Sequence, residues 1–126
     1  MAIITYTMPR PFGSYSIPIA IQSCYIRDYC SRHNIEFNLP VTEICKKSCF
    51  DSLKAEIAKL GNNKHQLIVA SIFIFEELKG ENLDWFQMNS TENIEIIGIL
   101  EMVKLTFLQL PDYQSEIKEI EKLSGA

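Results

Sequence analysis

Residues 66–75, QLIVASIFIF, are the most apolar run in the chain and show no polar alternation. A half-covered strand alternates and an amphipathic helix keeps a polar face, so such a run reads as a strand covered on both faces. Strands of that kind are parallel, and parallel strands need crossover connections to bring the chain back to the same edge. This one segment therefore predicts an α/β domain with the run at its centre.

The remaining segments fit around it. Residues 2–6 read as a short buried strand and residues 16–33 as a long helix ended by Asn34, a residue tolerant of the left-handed conformation. Residues 35–39 alternate like a strand with one covered face, and Pro40 argues for an edge or a strand end. Residues 41–49 read as loop and residues 50–60 as a helix burying Phe50, Leu53, Ile57 and Leu60. Residues 76–88 read as partly helical around a central glycine. Residues 94–100 read as a further strand, residues 105–108 as a short fifth one, and residues 111–123 as a terminal helix. The order predicts a three-layer fold: a mainly parallel sheet of four to five strands with helices on both faces, closed by right-handed crossovers.

At 126 residues, 47% of them hydrophobic, the chain fits one domain over residues 1–126, without internal repeat or linker. A net charge of −4 argues against nucleic acid as the main partner, because gripping a phosphate backbone needs a basic surplus. The first ten residues, MAIITYTMPR, lack the pattern of a signal peptide, and no apolar run is long enough to cross a bilayer. A cytoplasmic protein without membrane contact is expected, and its four cysteines then read as reduced thiols. Cys45 and Cys49 lack the further ligands of a metal site, so neither metal nor cofactor is expected.

In such open sheets, ligands bind beyond the carboxyl ends of the strands. The rule picks out the turn after the first strand, Glu43 after the second, Ser71 at the end of the third, and Glu101 after the fourth. The turn reads MPRPFGSYSIP. Gly13 permits a positive φ, Pro9 and Pro11 stiffen the approach, and Ser16 stands where an N-cap belongs, with Pro18 in the first turn. With Arg10 beside a helix N-terminus, it suits a phosphate or carboxylate. Arg10 also reads as a surface charge tied to a carboxylate, and Ser14 and Ser16 as capping residues. Glu43 and Glu101 read either as a pair dividing acid and base roles or as two solvated loop carboxylates. His33 and His65 fall away from the crevice.

The motif PRPFGSYSIPIAIQ followed by IRDYC resembles the bacterial sporadic carbohydrate cluster family, small proteins encoded among surface-polysaccharide genes. The likeness is closest over residues 5–38 and extends more loosely to Glu101. A more distant resemblance, to the catalytic domain of serine recombinases, implies a recombinase-like or flavodoxin-like fold. Recombination itself needs arginines around the scissile phosphate, and the turn IFEELKGE is acidic where they would stand. The carbohydrate resemblance implies a phosphorylated or nucleotide-linked sugar as ligand. Arg10, Gly13, Ser14, Ser16, Gln22 and Ser71 would then contact it, Phe12 and Tyr15 would cover a pyranose face or simply pack the loop, and Glu43 and Glu101 would do chemistry. A noncatalytic docking partner of a cluster enzyme is the other reading. The terminal helix, with Tyr113, Ile117, Ile120 and Leu123 in a narrow stripe, would seed a homo-oligomer.

Overall fold

A computed structural model of the protein describes residues 2–12, 16–61, 63–90 and 93–123. The chain runs β1 (Ile3–Thr7), α1 (Ile19–Arg32), β2 (Val41–Thr42), α2 (Asp51–Ala58), β3 (His65–Val69), a 3-10 turn (Ile72–Phe75), α3 (Gly80–Ser90), β4 (Ile94–Gly98), β5 (Val103–Leu105) and α4 (Leu110–Leu123). The strands form a five-stranded sheet in the order β2-β1-β3-β4-β5. The first four run parallel, and β5 returns antiparallel against β4. The expected mainly parallel α/β sheet is therefore present, with β3 at its centre. No helix among the described residues is long and apolar enough to cross a membrane.

Alternate residues of β3 serve different clusters, as the pleat requires. Leu67 and Val69 join Ile4, Tyr6, Ile96, Leu53 of α2, Phe86 of α3 and Leu110 of α4. Ile68 joins Ile97 with Ile26 and Cys30 of α1. In the larger cluster the rings of Phe50, Phe75, Phe86 and Phe107 meet at 4.9–6.3 Å between centroids. These four residues come from the segments leading into α2, α3 and α4 or from α3 itself, so one aromatic knot holds the helices to the sheet.

Several segments depart from the sequence expectation, each for a physical reason. The apolar run 66–75 is not one strand: pairing ends at Val69, and SIFIF winds into the 3-10 turn, capped by Ser71 Oγ accepting from the Phe73 amide at 3.1 Å. Ser71, Ile72, Ile74 and Phe75 are buried all the same, and burial is what an apolar run reports. The second strand is not residues 35–39 but Val41–Thr42, which pair with Tyr6 and Thr7 beyond Pro40. Ile35 and Phe37 still pack on the α1 cluster, so the alternation was a packing signal without a ladder. The fifth strand is Val103–Leu105, entered by a tight turn with Met102 at φ 57°. Gly80 does not break a helix but starts α3, at φ 62°.

Helix α1 begins at Ile19, with Pro18 at the N-cap and no side-chain cap, so Ser16 does not cap it. Its buried residues Gln22, Ile26 and Cys30 recur every fourth position, the spacing of one helix face. The helix ends as Asn34 predicts. Asn34 takes φ 57°, and the Ile35 amide reaches back to the Cys30 carbonyl at 2.8 Å, satisfying an orphan acceptor of the last turn.

Phe75 is fully buried and touches the rings of Tyr6, Phe50 and Phe107. Phe75→Ala is expected to cost about 3–5 kcal/mol, the range for deleting a buried ring. Urea unfolding should register this as a lower midpoint at unchanged m-value.

Candidate functional site

Parallel strands deliver their carboxyl ends to one edge, and the polar residues gathered there form two separate nodes. The first centres on Glu43, which directly follows β2 and is 3% exposed. Its Oε1 accepts the Tyr6 hydroxyl at 2.7 Å and the Leu53 amide at 3.3 Å. Its Oε2 accepts the amides of Ile44 at 2.9 Å and Ser52 at 3.0 Å, with the Cys49 thiol at 3.7 Å. Ser52 and Leu53 lie in the first turn of α2, whose N-cap residue Phe50 offers no side-chain cap. A carboxylate from the far end of the loop takes that role, favoured by the helix dipole.

Burial raises the pKa of Glu43, but the hydrogen bonds from Ile44, Tyr6, Ser52 and Leu53 outweigh it and hold the carboxyl below the ordinary glutamate range. The same contact works the other way on its partner. Burial, reinforced by the hydrogen bond to Glu43, pushes the Tyr6 phenol far above its usual value. Glu43 is thus an ionised, enclosed acceptor whose oxygens are already engaged by protein donors.

Arg10 braces the same loop. Its guanidinium donates to the carbonyls of Ile44 at 3.1 Å, Cys49 at 3.0 Å and Lys46, and lies 5.5 Å from the Phe50 ring centroid. The positive charge expected at an anion site is spent on backbone carbonyls of residues 44–49. Nearby, Ser48 at φ 58° donates to Glu77 Oε2 at 2.7 Å, and this bond is the leading cause of a lowered Glu77 pKa.

The second node lies at the ends of β3 and β4. Glu101 Oε2 accepts the Ser71 hydroxyl at 2.7 Å and its Oε1 accepts the Ile72 amide at 2.6 Å. Ser71 is fully buried while Glu101 is half-buried. Gly98 leaves room for this arrangement, since a Cβ there would lie 3.0 Å from Glu101 Oε1. A carboxylate with one oxygen on a buried hydroxyl and part of its surface open can accept a hydrogen bond from a ligand hydroxyl.

Glu43 and Glu101 do not meet. β1 and β3 stand between β2 and β4, so the two backbones are three strand spacings, or about 14 Å, apart. Each carboxylate is held by its own set of partners, and the two share none.

Gln22 is fully buried, and its amide grips the turn: Oε1 accepts the Met8 amide at 2.9 Å, and Nε2 donates to the carbonyls of Met8 at 2.7 Å and Ile17 at 2.8 Å. Phe12 is a core residue, 3% exposed. Ser16 is exposed. Gly13, Ser14 and Tyr15 fall outside the described residues. His65, first residue of β3, accepts the Ala2 amide on Nδ1 at 3.0 Å and faces the Gly61 carbonyl through Nε2 at 3.1 Å, at the opposite end of the sheet.

Tyr6 is the participant that periodicity alone does not single out. The available signal was chemical: a tyrosine inside a buried strand must find an acceptor for its hydroxyl. Comparison of the chain with family models, with curated proteins and with solved structures finds no match.

Because the folded-state pKa of Glu43 is depressed, its stabilisation is present above the unfolded value, near pH 4.3, and is lost as pH falls through the folded value. Glu43→Gln should therefore destabilise the protein at neutral pH, by about 2 kcal/mol for hydrogen bonds to a charged acceptor. The gap between the two proteins should narrow below about pH 4, and urea midpoints measured across pH 2–8 would test both. Gln22→Leu, which leaves the Met8 backbone groups and the Ile17 carbonyl without their partner, should lower stability by about 2–3 kcal/mol at every pH in the same series.

Proposed function

We propose that this protein binds, and acts on or presents, a phosphorylated or nucleotide-linked sugar in the cytoplasm, as part of bacterial surface-polysaccharide biosynthesis. In this reading the fold is a three-layer, doubly wound domain of serine-recombinase or flavodoxin-like type, and the ligand lies at the strand-end edge.

One observation carries the location. From β1 the chain crosses by α1 to β2 on one side, whereas from β3 it crosses by α3 to β4 on the other. Neighbouring strands whose connections leave in opposite directions open a crevice between them, the usual ligand position in open α/β sheets. Its walls are Met8, held by Gln22, on the β1 side and Ser71 with Glu101 on the β3 and β4 side. Helix α1 points its N-terminal end at the same crevice, which suits a phosphate. Glu101 is then the contact for a sugar hydroxyl, held by Ser71 and Ile72. Arg10 supports the loop over residues 44–49. The carbohydrate class rests on the resemblance of PRPFGSYSIPIAIQ and IRDYC to the sporadic carbohydrate cluster family.

Amide chemical-shift mapping with a panel of nucleotide sugars and sugar phosphates tests this directly. At least one member should raise the melting temperature and move the amides of Met8, Ile19, Ala20, Ser71 and Ile72. Glu101→Gln should weaken that ligand by about tenfold, the worth of one charge-assisted hydrogen bond, with the melting temperature of the free protein recorded alongside. If no member shifts these amides, or if the shifts cluster elsewhere, the assignment fails.

A further inference from the structure

We infer that the groove between α1 and the β4–β5 hairpin binds a flat ring carrying a negative charge, the chemistry shared by nucleoside phosphates and aromatic carboxylates. The groove lies on a face of the sheet, whereas the strand-end crevice opens between β1 and β3, so the two assignments stand or fall separately.

The groove arises because the helices are shared unevenly between the faces. α2, α3 and α4 all contribute to the larger cluster, on one face of the sheet. Among the described helices α1 alone contributes to the other cluster, and it lies against β1 and β3. The α1 face of β4 and β5 is therefore left without a helix of its own, and an open groove of about 510 Å³ runs there. A volume of that order is typical of small-molecule sites. The floor is apolar through Ile97 and Ile99, and Leu100 and Met102, 41% and 90% exposed, stand on the hairpin side. The opposite wall is aromatic. Tyr25, Tyr29 and His33 recur every fourth position along α1 and its C-cap, so they share one helix face. The rings of Tyr29 and His33 stack with centroids 4.1 Å apart. A flat ring can lie against such rungs, and a compact polar solute gains nothing from them.

The polar groups of the groove set the charge of the occupant. Elsewhere the conspicuous polar side chains are engaged by the chain itself, as Arg10, Gln22, Glu43 and His65 are. In the groove the Tyr25 and Tyr29 hydroxyls, the His33 ring nitrogens and Lys104 Nζ take part in no hydrogen bond or ion pair among the described residues. Lys104 stands on this face because it pairs with Ile97 of the α1 cluster, while its neighbours Val103 and Leu105 turn to the larger cluster. As a residue of the outermost strand it also borders a shallow depression beside Asp112 and Glu116, without an ion pair to either. Arg32, also in the lining, is neutralised by Asp28 and adds no uncompensated charge. No described carboxylate lines the groove. A lysine and phenol hydroxyls with no acceptor of their own favour an anionic group on the ligand.

Amide chemical-shift mapping of the whole chain with uridine monophosphate, adenosine monophosphate and 4-hydroxybenzoate tests this, with uridine and inorganic phosphate as the ring without charge and the charge without ring. At about 10 mM, enough to fill a site of millimolar affinity, at least one of the first three should move the amides of Tyr25, Tyr29, His33 and Lys104. Uridine and phosphate should bind there at least about tenfold more weakly. Response to the nucleotides alone identifies a nucleoside phosphate as the occupant, response to 4-hydroxybenzoate alone an aromatic carboxylate, and either supports the assignment. Lys104→Met, at an exposed position, should weaken the responding probe by about tenfold, and Lys104→Arg should restore most of it. Tyr25→Ala, at a residue 39% exposed, should weaken it by about threefold or more. The amide spectrum of each free variant shows directly that it is folded. No movement of these amides with any probe, equal binding of uridine or phosphate, or an unchanged affinity in Lys104→Met would each overturn the proposal. A probe that moves only the amides of Met8, Ser71 and Ile72 would overturn it while supporting a ligand in the crevice.

Discussion

The carboxylate of Glu43 is the point at which three elements that could hardly hold one another otherwise are joined. β2 contributes only Val41 and Thr42 to the sheet, too few for a ladder to secure by itself. Directly after them, Glu43 takes the Tyr6 hydroxyl from β1 and the Ser52 and Leu53 amides from α2. A buried negative charge is tolerable only when its hydrogen bonds replace those lost from water, and here protein donors do so. Arg10 closes the loop from the other side by binding the carbonyls of Ile44, Lys46 and Cys49. The edge strand, the following loop and the start of α2 are thus tied to β1 by hydrogen bonds.

That constraint decides what the strand-end edge has left to offer a ligand. Glu43 and Arg10, the most conspicuous charges near the turn, are occupied in holding the frame. Among the described residues, a partly open carboxylate lies on the other side of β1, where Glu101 rests on Ser71 and Ile72. Gln22 ties the Met8 and Ile17 backbone to α1 by three hydrogen bonds. Burial, with the nearby charges of Glu101 and Glu116, also raises the pKa of the Tyr113 phenol on α4.

The candidate site was legible in its ingredients and not in its arrangement. The strand-end rule picked out Glu43, Ser71 and Glu101, and each does lie at the edge. What the rule could not say is which partner each side chain takes. Tyr6 lies 37 positions from Glu43 and Glu101 lies 30 from Ser71, and no local pattern encodes contacts of that range. Gln22 shows the same limit. On a helical wheel it is a polar residue among apolar ones, and only the position of Met8 beneath it makes its burial reasonable.

By itself the sequence determined the class of fold and the identity of its centre: an apolar run without alternation over residues 66–75 reads as covered on both faces, and that points to parallel strands and helical crossovers. It also marked the end of α1, because Asn34 accepts a backbone conformation that most residues resist. Only the tertiary structure decided where strands stop and how charges pair. SIFIF is as apolar as a strand yet turns at Ser71, since Glu101 and Ser71 supply partners to the Ile72 and Phe73 amides that a ladder would otherwise have provided. Hydrophobic patterning reports which side chains leave water, a local property. Whether a backbone amide finds its acceptor in a neighbouring strand or in a distant carboxylate depends on what the rest of the chain brings beside it.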